Sequence, residues 1–128
     1  MTIEHIAIWT LDLEKMKAFY LSFFDLTSNE KYYNPHKKFS SYFLSFKNGA
    51  RIELMHRPDI TEFIEKTDSK LGFTHFAIAV GSKKKVDALT ELIRKKGYNV
   101  IGEPRTTGDG YYESVISDPE GNLIEITV

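Results

Sequence analysis

The chain has 128 residues, a suitable length for one domain, and its 41% hydrophobic and 27% charged residues are typical of a globular protein. A formal net charge of −1 gives no long-range attraction for nucleic acid or anionic lipid, and no apolar stretch reaches the ~20 residues of a membrane-spanning helix. The chain has no cysteine, which excludes disulfides and thiolate metal sites, and the N-terminal segment has no signal-peptide features. Together these features predict a cytoplasmic protein without nucleic-acid or membrane partners.

The first half of the chain predicts one strand, one helix and three further strands. Apolar residues recur at three- and four-residue spacing in the helical stretch, and Asp12 is a suitable N-cap. Asn48-Gly49 is a strong signal for a hairpin turn before the last strand. The predicted elements lie, in chain order, at 3–10, 12–25, 28–34, 39–47 and 50–55.

The second half of the chain predicts the same order of elements. Ser82 is the expected N-cap of its helix and Gly97 is the expected stop. Proline and glycine in the segment 118–122 predict a tight turn before the last strand. The predicted elements lie at 73–80, 82–96, 98–103, 111–117 and 122–128.

The repeated order predicts a single domain over residues 1–128 that is built from two β-α-β-β-β modules. The modules span about 1–56 and 73–128. The linker near 57–72 joins them, and its sequence allows a short helix near 60–66.

Two histidines and two glutamates stand at matching points of the two modules. Because side chains alternate across a strand, parity separates an aliphatic face from a mixed face in each of the four strands concerned. His5 and Glu53 fall on the mixed faces in the first module, and His75 and Glu125 do so in the second. A concave sheet with the mixed faces turned inward would gather all four groups in one cavity.

Two imidazoles and two carboxylates are sufficient to hold one divalent metal ion. A donor set of this kind without sulfur suits Zn, Ni, Co, Mn or Fe(II). Each residue alone has the ordinary interpretation of a solvated or satisfied polar side chain on a strand. The repetition of both residue types on equivalent faces favours a metal site.

Three segments carry a family likeness, and they are Ile3-Glu4-His5-Ile6-Ala7-Ile8, Phe73-Thr74-His75-Phe76-Ala77-Ile78 and Asp118-Pro119-Glu120-Gly121-Asn122-Leu123-Ile124-Glu125. With them the chain resembles the vicinal oxygen chelate superfamily, which includes glyoxalase I, bleomycin-resistance proteins and extradiol dioxygenases. The resemblance implies an α+β fold in which the two modules form a U-shaped mixed sheet with the helices outside. It also implies that the metal positions are His5, Glu53, His75 and Glu125.

Within the superfamily, the His-Glu-His-Glu set is most similar to that of glyoxalase I, the lactoylglutathione lyase. This similarity implies a small substrate with adjacent oxygens that reacts through an enediolate, with Glu125 ahead of Glu53 as the catalytic base. Trp9 stands where glyoxalase I has an arginine that helps to hold glutathione, so the substrate stays open. The resemblance also implies a homodimer whose sites combine ligands from both chains.

Trp9, Met55 and Phe43 are candidates to line the substrate pocket, and Arg105 is a candidate to supply positive charge there. The ordinary interpretation of each is a core or surface residue. Two other functions remain open: an Fe(II) extradiol-type dioxygenase, and a non-catalytic protein that binds a small molecule or drug and confers resistance. Oxygen uptake with a catechol would indicate the first, and ligand binding that survives chelation would indicate the second.

Overall fold

The computed structural model of the protein describes residues 1–62 and 71–128. The chain divides into two compact units, Met1–Phe63 and Ile64–Val128, and each unit has its own mixed sheet and its own helix. The predicted α+β class is confirmed. The predicted short helix near 60–66 is not formed at 60–62, and its remainder lies outside the described residues. Within the described part of the chain, no helix is long and apolar enough to cross a membrane.

The first unit contains one helix and a five-stranded sheet. Its elements are β1 (His5–Trp9), α1 (Leu13–Phe23), β2 (Thr27–Ser28), β3 (Tyr32–Asn34), β4 (Phe39–Ser45) and β5 (Arg51–His56). The strand order is β1-β5-β4-β2, with β3 also paired to β4. The β1–β5 pair is parallel and the other pairs are antiparallel, so the two strands that carry His5 and Glu53 are direct neighbours.

The predicted single strand at 28–34 is wrong, because β2 and β3 are separate short strands along the same side of β4. Their registers on β4 differ by one residue, which is the signature of a bulge. Asn29 bridges the interruption: its backbone N–H donates to the Phe43 carbonyl at 3.2 Å, and its Oδ1 accepts from the Phe43 N–H at 2.8 Å. The side chain thus supplies a hydrogen bond that the strand backbone would otherwise make, and hydrophobic alternation does not reveal such a position.

The second unit contains one helix and a four-stranded sheet. Its elements are β6 (His75–Ala79), α2 (Lys83–Lys95), β7 (Val100–Thr106), β8 (Tyr112–Ser117) and β9 (Leu123–Thr127). The strand order is β6-β9-β8-β7, and the β6–β9 pair is parallel. β7 begins later and runs further than the predicted 98–103, and its pairing with β8 is irregular at two points. The order of pairing otherwise repeats that of the first unit.

Hydrogen bonds confirm the predicted N-caps Asp12 and Ser82 and the predicted stop at Gly97. The side chains of Asp12 and Ser82 each accept a hydrogen bond from the backbone N–H three residues later, as N-caps do. Gly97 follows α2 with a φ of 85°, a conformation that glycine adopts without a Cβ penalty. The Tyr98 N–H then donates back to the Ile93 carbonyl, which completes a Schellman motif.

One face of each sheet is buried beneath a helix. The fully buried side chains of the first unit include Met16, Phe19, Tyr20, Leu44, Ile52 and Leu54. Those of the second unit include Val86, Ile93, Ile116, Ile124 and Ile126. Ile52, Leu54, Ile124 and Ile126 are among the aliphatic residues that parity assigned to the helix side, so the prediction of two distinct faces is confirmed for β5 and β9. The opposite face of each sheet carries the histidine and the glutamate.

Asp118 organises the turn that leads into β9. Its carboxylate is buried and accepts hydrogen bonds from the backbone N–H groups of Glu120 at 3.0 Å and Asn122 at 2.8 Å. Its other oxygen accepts from the Asn122 side chain at 2.7 Å. A buried carboxylate is stable only when it is hydrogen-bonded in this way, and the turn therefore sets where β9 begins.

Candidate metal centre

The parallel pairing of β1 and β5 brings His5 and Glu53 together on one face of the first sheet. Ala7 lies opposite Glu53 in the register, so His5 is one step of two residues away along the same face. The distance between His5 Nε2 and Glu53 Oε2 is 3.6 Å. The side chain of His5 is 38% exposed and that of Glu53 is 15% exposed, so a carboxylate sits deeper and an imidazole sits above it.

The parallel pairing of β6 and β9 produces the same arrangement in the second unit. Ala77 lies opposite Glu125, and His75 again precedes that alanine by two residues. The distance between His75 Nε2 and Glu125 Oε1 is 3.2 Å, with side-chain exposures of 40% and 20%. The sequence repeat is therefore also a repeat of geometry, down to the nitrogen that faces the carboxylate.

Each unit thus holds a candidate half-site with two potential metal donors. Within residues 1–62 and 71–128, no group of three or more histidine, aspartate or glutamate side chains is close enough to hold an ion. The donors fit a divalent cation in chemistry, because Nε2 and a carboxylate oxygen converge on one open face in both units. The union of the two half-sites in one shell stays a prediction.

Glu4 holds His5 from the other side of the ring. A Glu4 carboxylate oxygen contacts His5 Nδ1, and the second oxygen contacts the guanidinium of Arg51. The hydrogen bonds from His5 and from Arg51 lower the pKa of the Glu4 carboxyl from its ordinary value. An ionised carboxylate only accepts, so His5 Nδ1 is the donor in this contact, and Nε2 is the ring nitrogen that faces Glu53.

Sequence reasoning missed Glu4 as a functional residue. Neighbouring residues of a strand point to opposite faces, which argues against a contact between Glu4 and His5. Glu4 escapes this rule because β1 begins only at His5. The signal that was present is an acidic residue directly before a candidate ligand. The ligand itself pairs with a basic residue, Arg51, on the neighbouring strand. Within the described residues, His75 has no comparable carboxylate at Nδ1.

The three residues predicted to line the pocket lie on the same face as His5 and Glu53. The Phe43 ring meets the His5 ring edge-on at 5.4 Å between centroids, and the Arg51 guanidinium lies 4.1 Å over Phe43. Trp9 and Met55 are direct partners in the β1–β5 register, further along the sheet. Trp9 is 40% exposed, so solvent reaches part of its side chain. This face is aromatic beside the metal donors.

The corresponding face of the second unit is charged. Arg105, Glu113 and Thr127 are successive partners across β7, β8 and β9, and Thr127 shares its face with Glu125. Burial raises the pKa of Glu113, the Glu125 carboxylate raises it further, and Arg105 opposes both effects. The predicted residue Arg105 therefore lies on the candidate face, and Glu113 is a second residue that the sequence did not single out.

The raised pKa of Glu113 predicts a pH dependence of stability in the metal-free protein. The unfolded chain loses this proton at a lower pH than the folded chain does. The folded protein therefore loses stability as the pH rises from about 4.5, the ordinary pKa of the carboxyl group, through its higher pKa in the folded state. Glu113→Gln removes this penalty. We expect the variant to be more stable than the wild type at pH 7, with the difference vanishing below about pH 4.

The measurement is urea unfolding of both proteins at the two pH values with chelator present. The exposed Glu30→Gln is the matched control and should show no such pH-dependent gain. A Glu113→Gln difference that is equal at both pH values would contradict the assignment of the penalty to an ionised Glu113.

The comparison with protein families agrees with this fold. The family model described as the Glyoxalase/Bleomycin resistance protein/Dioxygenase superfamily matches residues 2–126. The chain therefore belongs to this superfamily.

Three individual proteins are similar to this chain. It is 31% identical to a lactoylglutathione lyase of Arabidopsis thaliana over 126 residues, which are 95% of this chain and 42% of the plant protein. It is 28% identical to the uncharacterized Bacillus subtilis protein YqjT, with 97% of this chain and 96% of that protein covered. The crystal structure of glyoxalase I from Zea mays superposes with a TM-score of 0.79 at 27% identity, covering 98% of this chain and 44% of the maize chain. The chain thus spans less than half the length of these plant relatives.

Proposed function

We propose that the protein is a metal-dependent enzyme of the glyoxalase I type. It would act on a small substrate with two adjacent oxygens through an enediolate. The observation that carries the proposal is the pair of matching His–Glu half-sites on parallel strands, with Nε2-to-carboxylate distances of 3.6 Å and 3.2 Å. The similarity to proteins named lactoylglutathione lyase and glyoxalase I supports this choice within a superfamily of several activities.

His5, Glu53, His75 and Glu125 would together hold one divalent ion, which is Zn, Ni, Co, Mn or Fe by the chemistry of its donors. Each unit supplies half of this shell. We propose a homodimer as the assembly in which the half-sites combine. When bound, the ion would supply a Lewis acid for the two substrate oxygens.

The residues of the chain supply the remaining chemistry. Glu125 is the proposed base that takes the proton next to the carbonyl, with Glu53 as the second candidate. The side chains of Glu53 and Glu125 are 15% and 20% exposed, so either carboxylate would be able to reach a substrate that binds on this face. Phe43 and Trp9 would pack against the apolar part of the substrate, and Arg105 would attract negative charge on the opposite half-site.

The proposed function is tested by metal content and turnover. We expect a divalent metal to co-purify with the protein, and we expect conversion of methylglyoxal with a thiol to be lost on chelation and restored by metal. Turnover that persists in excess chelator would contradict the proposal. Oxygen uptake with a catechol would identify a dioxygenase instead, and ligand binding without turnover in the metal-loaded protein would identify a binding protein.

Glu4 is proposed to position His5 for metal binding. Glu4→Gln replaces an obligate acceptor with an amide that can also donate, so His5 is no longer held with its proton on Nδ1. We expect the metal affinity to fall on the order of 10- to 100-fold, the usual effect of removing the hydrogen-bond partner of a ligating histidine. The measurements are competition with a chelator and the His5 tautomer, read from ring nitrogen shifts of the metal-free protein by NMR.

Glu103→Gln is the matched control for Glu4→Gln. It also removes a glutamate that is paired with an arginine, here Arg94 of α2 at 2.6 Å. We expect it to leave metal affinity and the His5 tautomer unchanged. A Glu4→Gln variant that keeps both the wild-type affinity and the wild-type tautomer would show that Glu4 does not position His5.

A further inference from the structure

A cleft of about 710 Å³ opens in the first unit between the β3–β4 turn and the end of β5. It is lined by Lys37, Lys38, Arg57, Pro58 and Asp59. None of these residues belongs to the proposed metal shell. The volume falls within the range of roughly 300–1,000 Å³ that is typical of small-molecule sites.

The lining of the cleft carries an excess of positive charge. Asp59 is the single acidic residue of the lining, and it is paired with the Nε of Arg57. The hydrogen bond from Arg57 lowers the pKa of the Asp59 carboxyl. Among the described residues, no carboxylate forms an ion pair with Lys37 or Lys38. Three cations therefore face one carboxylate, in a chain whose overall formal charge is −1.

The turn that carries Lys37 and Lys38 has a backbone conformation that lysine rarely adopts. The Lys37 N–H donates to Asn34 Oδ1 at 3.1 Å, which closes the turn. Lys38 has a φ of 49°, in the left-handed region, and within the described chain it is the one residue other than glycine with a positive φ. Glycine or asparagine would adopt this conformation at lower cost. A lysine held in a strained conformation at the edge of a cleft points to a functional use of its charge.

An aromatic cluster adjoins the cations. The Arg57 guanidinium lies 5.3 Å over the ring of Trp9. Phe39 directly follows Lys38, and its ring is 6.1 Å from both the Trp9 ring and the Tyr32 ring. Trp9 and Tyr32 are both exposed. A ligand with its anionic group between the cations could therefore lay an apolar or aromatic body on this cluster.

We propose that this cleft binds the phosphate group of a small organic phosphate ester, with the organic part against Trp9 and Tyr32. A phosphate monoester carries a charge of about −1.5 to −2 at neutral pH, which matches the excess of two cations over carboxylates in the described lining of the cleft, whereas a carboxylate carries only −1. Its oxygens can accept from two ammonium groups and from the planar fork of Arg57 at the same time. The assignment needs no metal, and the cations that carry it lie outside the proposed metal shell, whereas Trp9 is shared with the proposed substrate pocket.

The single tryptophan of the chain makes the proposal directly measurable. Because Arg57 lies over Trp9, an anion that engages Arg57 changes the surroundings of the only indole, and tryptophan fluorescence reports binding. We expect phenyl phosphate to give a saturable change in the presence of chelator. We expect the double variant Lys37→Gln/Lys38→Gly to bind at least about tenfold more weakly, because two charge-assisted contacts are lost.

The variants separate lost charge from lost folding. Lys38→Gly removes a charge and also relieves the left-handed φ, so the double variant should keep its thermal stability. Lys15→Ala removes an exposed lysine of α1 from the same unit and should leave phenyl phosphate binding unchanged. Wild-type affinity in the double variant would overturn the proposal.

Two further ligands test the class of molecule. Benzoate has the same ring with a single negative charge, and inorganic phosphate has the charge without the ring, so both should bind more weakly than phenyl phosphate. Benzoate binding as tight as phenyl phosphate would overturn the assignment to phosphate, and equal binding of inorganic phosphate would overturn the contact with the aromatic cluster. A fluorescence response that disappears on chelation would place the anion at a metal instead of the cleft.

Discussion

Replacing His75 with alanine is expected to weaken metal binding by more than about 100-fold, and Glu53→Gln is expected to do the same from the other unit. Loss of a partner that only orients a ligand costs on the order of 10- to 100-fold, so loss of a ligand should exceed that range. The two residues lie in different half-sites. Equal losses of metal affinity would show that a single metal shell needs a ligand from each half-site. The measurement is metal stoichiometry and affinity by competition with a chelator.

His36→Ala is the matched control for His75→Ala. His36 is exposed in the β3–β4 turn and belongs to neither half-site. We expect its removal to leave the stoichiometry and affinity for metal as in the wild type. Unchanged stoichiometry in both His75→Ala and Glu53→Gln would refute the metal site and with it the proposed function.

Replacing Ile124 with alanine is expected to destabilise the protein by about 2–5 kcal/mol. Glu125→Gln lies one residue further along β9 and should leave the free energy of unfolding of the metal-free protein almost unchanged. Ile124 is fully buried on the helix side of the sheet, and truncation leaves a cavity there. Glu125 faces the other way, is 20% exposed and has a repulsive neighbour in Glu113. Glu125→Gln should instead abolish metal binding and turnover.

Urea unfolding in chelator distinguishes the two effects, because bound metal would stabilise the folded state and obscure the comparison. Leu123→Ala is the control for Ile124→Ala: it removes the same number of carbon atoms from the partly exposed face of β9 and should cost less. A large loss of stability in Glu125→Gln would show that this side chain holds the fold and would count against its role as a ligand.

Much of the fold is visible in the sequence because it depends on local chemistry. Asp12 and Ser82 begin their helices, and Gly97 ends α2, through hydrogen bonds within a few residues. Their residue types were therefore sufficient to predict these helix boundaries. The faces of β5 and β9 were likewise predictable, because alternation follows from strand geometry alone. The pairing of each histidine with its glutamate then follows from the family likeness and from the parallel neighbours.

Features that depend on two distant segments were not predictable. The break between β2 and β3 arises from the double hydrogen bond of Asn29 to Phe43, and nothing near Asn29 in the sequence announces that contact. Burial raises the pKa of Glu113, and Glu125 on the next strand raises it further. The cleft likewise exists only because the turn at Lys38 lies beside Arg57.

The sequence by itself determined the residue types of the candidate metal donors, their faces and the repeat that relates them, because periodicity and residue chemistry depend on positions close together in the chain. The tertiary structure alone decided the distances within each half-site, the anchoring of His5 by Glu4 and Arg51, and the concentration of positive charge beside Trp9. Hydrogen bonds and charge interactions act over a few ångströms. Their partners are therefore chosen by which strands the fold makes neighbours, and sequence separation does not limit that choice.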